Sequence, residues 1–256
     1  MRPQQQLVSN PDSAREPAIA VSDLSFSYPD RPEVLQGANL NIYPEERVGL
    51  IGPNGAGKTT LFLSICGILT PTSGDIGLFG NPVVVGEFRP EIGFVFQNPN
   101  DQLLLPSVWE DVAFGPQNMG MSEDEVNDRV QDALSLTGVE TLAERVPHNL
   151  SGGEKCLVAI AGVLAMRPQL VLYDEPSANL DMRYRRRVIN FLQTAQQTIL
   201  ISSHDLELII EVCDRVLLLD EGRIIADGTP QQVMANESLM NAHGLEMPHS
   251  LRLHHQ

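Results

Sequence analysis

The sequence predicts an α/β fold with a mostly parallel central sheet, an antiparallel β subdomain at the amino end and a helical subdomain. Three observations carry this. The apolar run Val48 to Ile51 passes into a glycine-rich stretch, after which Leu61, Ile65 and Leu69 recur at helical spacing, so strand, loop and helix follow one another. Later apolar runs at 92–96, 170–173, 199–202 and 216–219 read as further strands. Ahead of them all, residues 18–43 alternate over short distances, as antiparallel strands do.

Taken in chain order, Val21, Leu24, Phe26 and Tyr28, then Leu40 and Ile42, mark strands around a turn at Pro29, Asp30, Arg31 and Pro32. Residues from about 98 to 166 change character and should form the helical subdomain. There Ser122, followed by Glu123, Asp124 and Glu125, caps a helix with Val126, Val130, Ala133 and Leu134 on one face. The strand at 216–219 turns through Asp220-Glu221-Gly222-Arg223 into Ile224 and Ile225 as a hairpin. Residues 231–256 are left as a short tail.

Composition bounds the function. The 256 residues allow one large domain or two small ones, and 42% apolar residues suit a globular core. Seventeen basic residues stand against thirty-three acidic ones, a formal charge of −16 that argues against nonspecific binding to nucleic acid or anionic lipid. No apolar run approaches the ~20 residues that cross a bilayer; the longest candidates, such as Leu157 to Met166, sit within a helical pattern. The polar residues 1–17 lack the apolar centre of a signal peptide and read as a disordered lead, so the chain is expected to stay in the cytoplasm. Cys66, Cys156 and Cys213, odd in number and far apart, suit reduced packing residues better than disulfides or a metal site.

Four inferred strands end in polar groups: residues 52–60, then Gln97, then Asp174 with Glu175, then His204. Ligands of open parallel sheets bind beyond the carboxyl ends of the strands, so these segments are expected to line one site. The stretch Gly52, Pro53, Asn54, Gly55, Ala56, Gly57, Lys58, Thr59, Thr60 fits the phosphate-binding loop of P-loop NTPases. Its glycines let backbone N–H groups curl around phosphate oxygens, Lys58 reaches the β- and γ-phosphates, and the Thr59 hydroxyl binds Mg²⁺. The following helix adds its positive end. A mere tight turn is the plain alternative, weakened by the place of the loop between strand and helix. Asp174 closes an apolar run, where a carboxylate needs a cation, and Mg²⁺ at the neighbouring loop supplies one. Alternation along the strand turns Glu175 away from Asp174, where it can orient and deprotonate an attacking water; two solvated acids closing a strand are the alternative.

The stretch Asn149-Leu150-Ser151-Gly152-Gly153-Glu154 closely resembles the signature motif of ATP-binding-cassette ATPases, and the similarity covers about residues 18–230. On that resemblance, Tyr28 is similar to the aromatic that stacks on adenine, Gln97 to the Q-loop glutamine, Ser177-Ala178-Asn179-Leu180-Asp181 to the D-loop and His204 to the switch histidine. The family implies ATP and Mg²⁺ as ligands, with Thr59, Gln97 and Asp174 at the metal and Glu175, His204 and Gln97 in catalysis. It also implies a head-to-tail dimer. In it Ser151, Gly152, Gly153 and Glu154 of one copy meet the ATP held by residues 52–60 of the other, and Asp181 couples the two sites. Glu154 departs from the usual glutamine, a change expected to weaken nucleotide-driven closure, and Met182 stands where a proline often follows.

Residues 95–103, 111–116 and 158–165 look like the ATPases of energy-coupling-factor importers, particularly the cobalt and nickel branch. That resemblance implies a second cassette, a transmembrane coupling protein and a small substrate-specific membrane protein as partners, with the chain on the cytoplasmic side of the membrane. The cargo would be cobalt, nickel or a vitamin. Leu103, Leu104, Leu105, Val108 and Trp109 would then receive a coupling helix, unless they are subdomain core. An ATPase of another transporter class is the alternative. A soluble cassette acting on ribosomes or DNA fits less well, because there is one phosphate loop, no sustained heptad pattern and an acidic balance. His243, His249, His254, His255, Met240 and Met247 in the tail read as incidental rather than metal-sensing, and Arg183, Arg185, Arg186 and Arg187 as a solvated helix face.

Overall fold

The computed structural model describes residues 15–252, so the expected lead at 1–17 lies almost wholly outside the described residues. Strands β1 (Ile19–Phe26) and β2 (Leu35–Ile42) pair antiparallel at the amino end. Then come β3 (Arg47–Ile51), α1 (Lys58–Ile65), β4 (Ser73–Leu78), β5 (Asn81–Pro82) and β6 (Ile92–Val95). The helical subdomain follows with α2 (Val108–Asn118), α3 (Glu123–Thr137) and α4 (Gly152–Leu164). The chain returns to the sheet through β7 (Leu170–Asp174), α5 (Met182–Thr194), β8 (Thr198–Ser202), α6 (Leu206–Val212), β9 (Arg215–Asp220) and β10 (Arg223–Gly228).

The strands form a four-stranded sheet in the order β2-β1-β4-β5 and a six-stranded sheet in the order β10-β9-β3-β8-β7-β6. The larger sheet is parallel from β9 to β6, with β10 antiparallel on its edge. Period-two alternation explains why its strands read as unbroken apolar runs. On β7, Leu170 and Leu172 join the core beneath the antiparallel sheet and α1, while Val171 and Tyr173 join the core beneath the helices. β8 and β9 split the same way, with Leu200, Leu217 and Leu219 on one side and Ile199, Ile201, Val216 and Leu218 on the other. Each such side chain contributes on the order of 1.5–3 kcal/mol by leaving water.

The expected capped helix is α3. Ser122 accepts the Glu125 N–H and the Glu125 carboxylate accepts the Ser122 N–H, and Gly138 ends the helix in the left-handed conformation. The sequence does not announce β4, because its two glycines and exposed Ser73 and Asp75 leave only Ile76 and Leu78 buried. That strand nevertheless pairs along β1 and extends the amino-terminal sheet.

Three expectations change. Val108 is fully buried and Leu103 and Trp109 pack against the core, so of the five residues assigned to a coupling helix only Leu104, 76% exposed, presents a large free apolar surface. Asp111 explains this, since its Oδ1 accepts the N–H groups of Leu104 (2.9 Å) and Leu105 (3.0 Å) and folds that segment back onto α2. The basic run on α5 is not simply a solvated face. Arg185 pairs with Asp205, Arg186 with Glu211, and Arg187 donates to the carbonyls of Thr137 (3.2 Å) and Gly138 (2.9 Å), tying α5 to α6 and to the end of α3. The tail is also structured: α7 (Pro230–Met234), α8 (Glu237–Ala242) and α9 (His249–Arg252) bury Met234, Met240 and Leu251. His243 hydrogen-bonds Asp220 through Nδ1 (2.8 Å), and Met247 packs on the core. His254 and His255 lie outside the described residues, among which no group of three His, Cys, Asp or Glu side chains is placed to hold a metal.

Candidate functional site

The site begins where β3 ends. A Cβ on Gly52 would lie 2.0 Å from the Leu219 carbonyl oxygen, so only glycine lets the chain leave the sheet here. Gly57, at φ 108°, then caps α1 without a side chain, leaving the first-turn N–H groups free for an anion. Lys58, the first residue of α1, is buried. Its Nζ donates to the carbonyls of Gly52 (2.9 Å) and Pro53 (3.3 Å) and lies 3.3 Å from His204 Nε2. Burial pulls its pKa below the ordinary lysine value, against the opposing pull of the Glu175 and Asp174 carboxylates.

The carboxylates come from the end of β7. Asp174 is buried; its Oδ2 accepts the Thr59 hydroxyl (2.7 Å) and its Oδ1 the hydroxyl of Ser202, its register partner on β8. Glu175 has left the strand. Its φ of 51° is left-handed, a conformation that costs a non-glycine residue about 1–3 kcal/mol and often marks a functional site. Its N–H donates to the Ser202 carbonyl (3.0 Å) and hydroxyl (3.1 Å), holding that conformation. Glu175 Oε2 accepts the His204 N–H (3.0 Å). The buried Oε1 has no hydrogen bond; it lies 3.4 Å from His204 Nε2 but outside hydrogen-bond geometry.

These groups face one pocket of about 280 Å³, lined by Asn54, Gly55, Gly57, Lys58, Thr59 and Thr60 of the loop and by Gln97, Asp174, Glu175 and His204. The ends of β3, β6, β7 and β8 therefore meet there. Gly52, Pro53 and Ala56 form the back of the loop instead of its lining. Tyr28 also stands outside the lining: its ring packs edge-on to Phe26 at 4.8 Å and its hydroxyl reaches Thr60 Oγ1 at 3.4 Å. Arg31 and Val34 line that side, and the sequence marks Arg31 only as a turn residue. The signal for it is a cation in a turn preceding a phosphate loop.

The signature stretch is elsewhere. Ser151 caps α4 and forms a capping box with Glu154, whose Oε2 accepts both the Ser151 N–H (2.8 Å) and hydroxyl (2.8 Å). Those bonds hold the Glu154 carboxyl below the usual carboxylate range. Gly152 faces a neighbouring cleft that Gln97 and Glu175 also line, and Gly153 lies against the Tyr184 ring, which a Cβ would meet at 2.1 Å. Asp181 caps α5, accepting the N–H groups of Arg183 and Tyr184 (both 2.9 Å). Beside Phe96, a more apolar groove of about 590 Å³ runs between Ile68, Val85 and Phe88, each at least 44% exposed.

A family profile described as ABC transporter matches residues 35–178, from β2 through the loop to just past Glu175. The chain belongs to the ABC transporter family. It is 56% identical over 236 residues to the Synechocystis protein sll0385, provisionally described as an ABC transporter ATP-binding protein; the match spans 92% of this chain and 83% of that one. It is 44% identical over 243 residues to the energy-coupling factor transporter ATP-binding protein EcfA of Methanothermobacter thermautotrophicus, covering 92% of this chain and 78% of the relative. The solved structure of cbiO1 from Clostridium perfringens, part of the ABC transporter complex cbiONQ, superposes with a TM-score of 0.79 at 37% identity, covering 94% of this chain and all of that one (100%). The chain is thus an ABC ATPase with the P-loop fold and an ATP-binding subunit of a transporter. No helix among its described residues is long and apolar enough to cross a membrane.

Proposed function

We propose that this ABC ATPase is the motor of an energy-coupling-factor importer. It works as a head-to-tail dimer on the cytoplasmic side of a transmembrane coupling protein and a small membrane protein that selects cobalt, nickel or a vitamin. The observation that carries the reading is a division of the site. Lys58, Asp174, Glu175 and His204 converge on one pocket, whereas the anion-ready start of α4 at Ser151 does not line it. A second copy would bring that helix end to the phosphates, so closure of the dimer completes the site.

In this reading the loop N–H groups and Lys58 hold the β- and γ-phosphates of ATP. The residues fit Mg²⁺: the Thr59 hydroxyl and Asp174 carboxylate lie 2.7 Å apart, with Gln97 on the same pocket, a set of hard oxygen donors. When bound, that ion neutralises charge on the β- and γ-phosphates. Glu175 Oε1, buried and without a hydrogen bond, accepts a proton from water as the water oxygen attacks the γ-phosphorus. The bond from that phosphorus to the β–γ bridging oxygen breaks, giving ADP and phosphate. His204, its backbone held by Glu175, contacts the γ-phosphate or the water. Tyr28, whose hydroxyl already reaches Thr60 beside the pocket, stacks on adenine, and Asp181 relays closure between the two sites.

Support for a membrane partner comes from the EcfA and cbiO1 likenesses and from the groove at Ile68, Val85 and Phe88, whose exposed apolar residues fit a coupling helix next to Gln97. Affinity purification of the tagged chain from gently solubilised native membranes under Mg-ATP tests the reading. Recovery of a multi-span coupling protein with a small integral companion is the expected result; recovery of ribosomal or DNA-bound proteins with no membrane protein would overturn it.

A further inference from the structure

Arg31 occupies a place in the nucleotide pocket that the motifs do not assign. The connection from β1 to β2 is a tight turn in which the Tyr28 N–H donates to the Arg31 carbonyl (2.9 Å) and the Arg31 N–H to the Tyr28 carbonyl (3.2 Å). Pro29 within the turn and Pro32 just after it restrict its backbone, so the arginine is presented from a stiff support. Its side chain crosses to the phosphate loop, where one guanidinium nitrogen donates to the Gly55 carbonyl at 2.6 Å. A Cβ on Gly55 would lie 2.9 Å from that nitrogen, so the absent side chain is what lets the guanidinium rest on the loop.

Charge gives this placement a purpose. Among the described residues no carboxylate lies within ion-pair distance of Arg31, although the chain carries a net charge of −16. Lys58, the other full cation lining the pocket, is already held by two carbonyls of its own loop. A triphosphate keeps negative charge after one divalent ion and one lysine are counted, and a planar guanidinium can grip phosphate oxygens with two donors at once.

We infer that Arg31 is a nucleotide-binding residue, whose guanidinium exchanges the Gly55 carbonyl for phosphate oxygens at the mouth of the pocket and favours polyphosphate ligands over the bare nucleoside. The inference rests on the reading of this pocket as the ATP site.

Displacement of a fluorescent ATP analogue tests it, with ATP, ADP and adenosine as competitors, on the wild type and on Arg31→Ala, Arg31→Lys, Arg31→Glu and Lys58→Ala. Arg31→Ala should weaken ATP about five- to tenfold, the scale of one charge-assisted contact discounted for exposure, and leave adenosine unchanged. Arg31→Lys should recover part of the loss, and Arg31→Glu should weaken ATP further than alanine does. ATP binding by Arg31→Ala within twofold of wild type, with Lys58→Ala defective, would overturn the inference and leave the pocket reading intact. Equal losses for ATP and adenosine, or equal losses in the alanine and glutamate variants, would also overturn it, because they mark a change of loop shape. A wild type that fails to bind ATP would remove the pocket reading itself.

Discussion

The Thr59 hydroxyl donates to Asp174 Oδ2 at 2.7 Å, joining residues 115 positions apart and closing the first turn of α1 onto the end of β7. Asp174 also takes the Ser202 hydroxyl, so one buried carboxylate fixes the phosphate loop against two neighbouring strands. Removing both acceptors would leave the buried Ser202 hydroxyl without its carboxylate, at a cost of about 1–3 kcal/mol, while the exposed Thr59 hydroxyl can turn to water. Asp174→Asn keeps the shape and loses the charge. It should fold with a melting temperature near that of wild type, bind ATP in the presence of EDTA, and lose Mg²⁺-dependent hydrolysis by about a hundredfold or more, as read by phosphate release.

In the proposed two-copy assembly, Glu154 bears on how tightly the copies close. Its carboxylate, held ionised by the Ser151 N–H and hydroxyl, stands at the helix end that would face a partner's γ-phosphate, where like charges repel. Glu154→Gln keeps an acceptor for both bonds and removes the charge. ATP should therefore drive dimerisation roughly two- to fivefold more readily in the variant, measured by sedimentation against ATP concentration. The pH sign follows from the depressed pKa. The charge is present throughout the neutral range, so the gap between variant and wild type holds there and shrinks only as pH falls through the lowered value, below the ordinary carboxylate range.

The three cysteines give a chemical check on the packing. Burial pushes the thiols of Cys66 and Cys156 up to about 12 and raises that of Cys213 as well. A raised pKa keeps the neutral thiol dominant until pH approaches that value, so alkylation by iodoacetamide at pH 8 should be much slower than for a free thiol at the buried Cys156 and Cys213, and faster at Cys66, which is only half-buried on the groove beside Phe96. Denaturant should restore ordinary rates, and rapid labelling of Cys156 or Cys213 in the folded chain would contradict their burial in the core.

Much of this site is legible in the sequence because its parts are local. Residues 52–60 carry their own turn chemistry, and the apolar runs of β3, β7 and β8 fix which residues stand at the strand ends. Arg31 is harder to see, since its role depends on a turn from the smaller sheet folding over a loop more than twenty residues later. β4 hides for a related reason: its glycines and exposed residues pair through backbone alone with a partner far away in sequence. The assignment of Leu103 and Val108 to a surface fails because apolar residues carry no mark of the face they take, and here the Asp111 carboxylate decides it. Arg185 and Arg186 of α5 show the same limit, because their carboxylate partners, Asp205 capping α6 and Glu211 on it, lie beyond the reach of pattern.

Glu175 is the most direct point of test for the account. Glu175→Gln preserves the shape of the side chain and removes the base, so it should bind ATP, turn over at least about a hundredfold more slowly, and accumulate as a dimer. Size-exclusion chromatography with light scattering, run with and without Mg-ATP, reads this directly. The account predicts a monomer without nucleotide and a stable dimer with it, the dimer being lost when Ser151→Arg is added. A Glu175→Gln protein that stays monomeric in saturating Mg-ATP and hydrolyses it at the wild-type rate would contradict both the assigned base and the two-copy site.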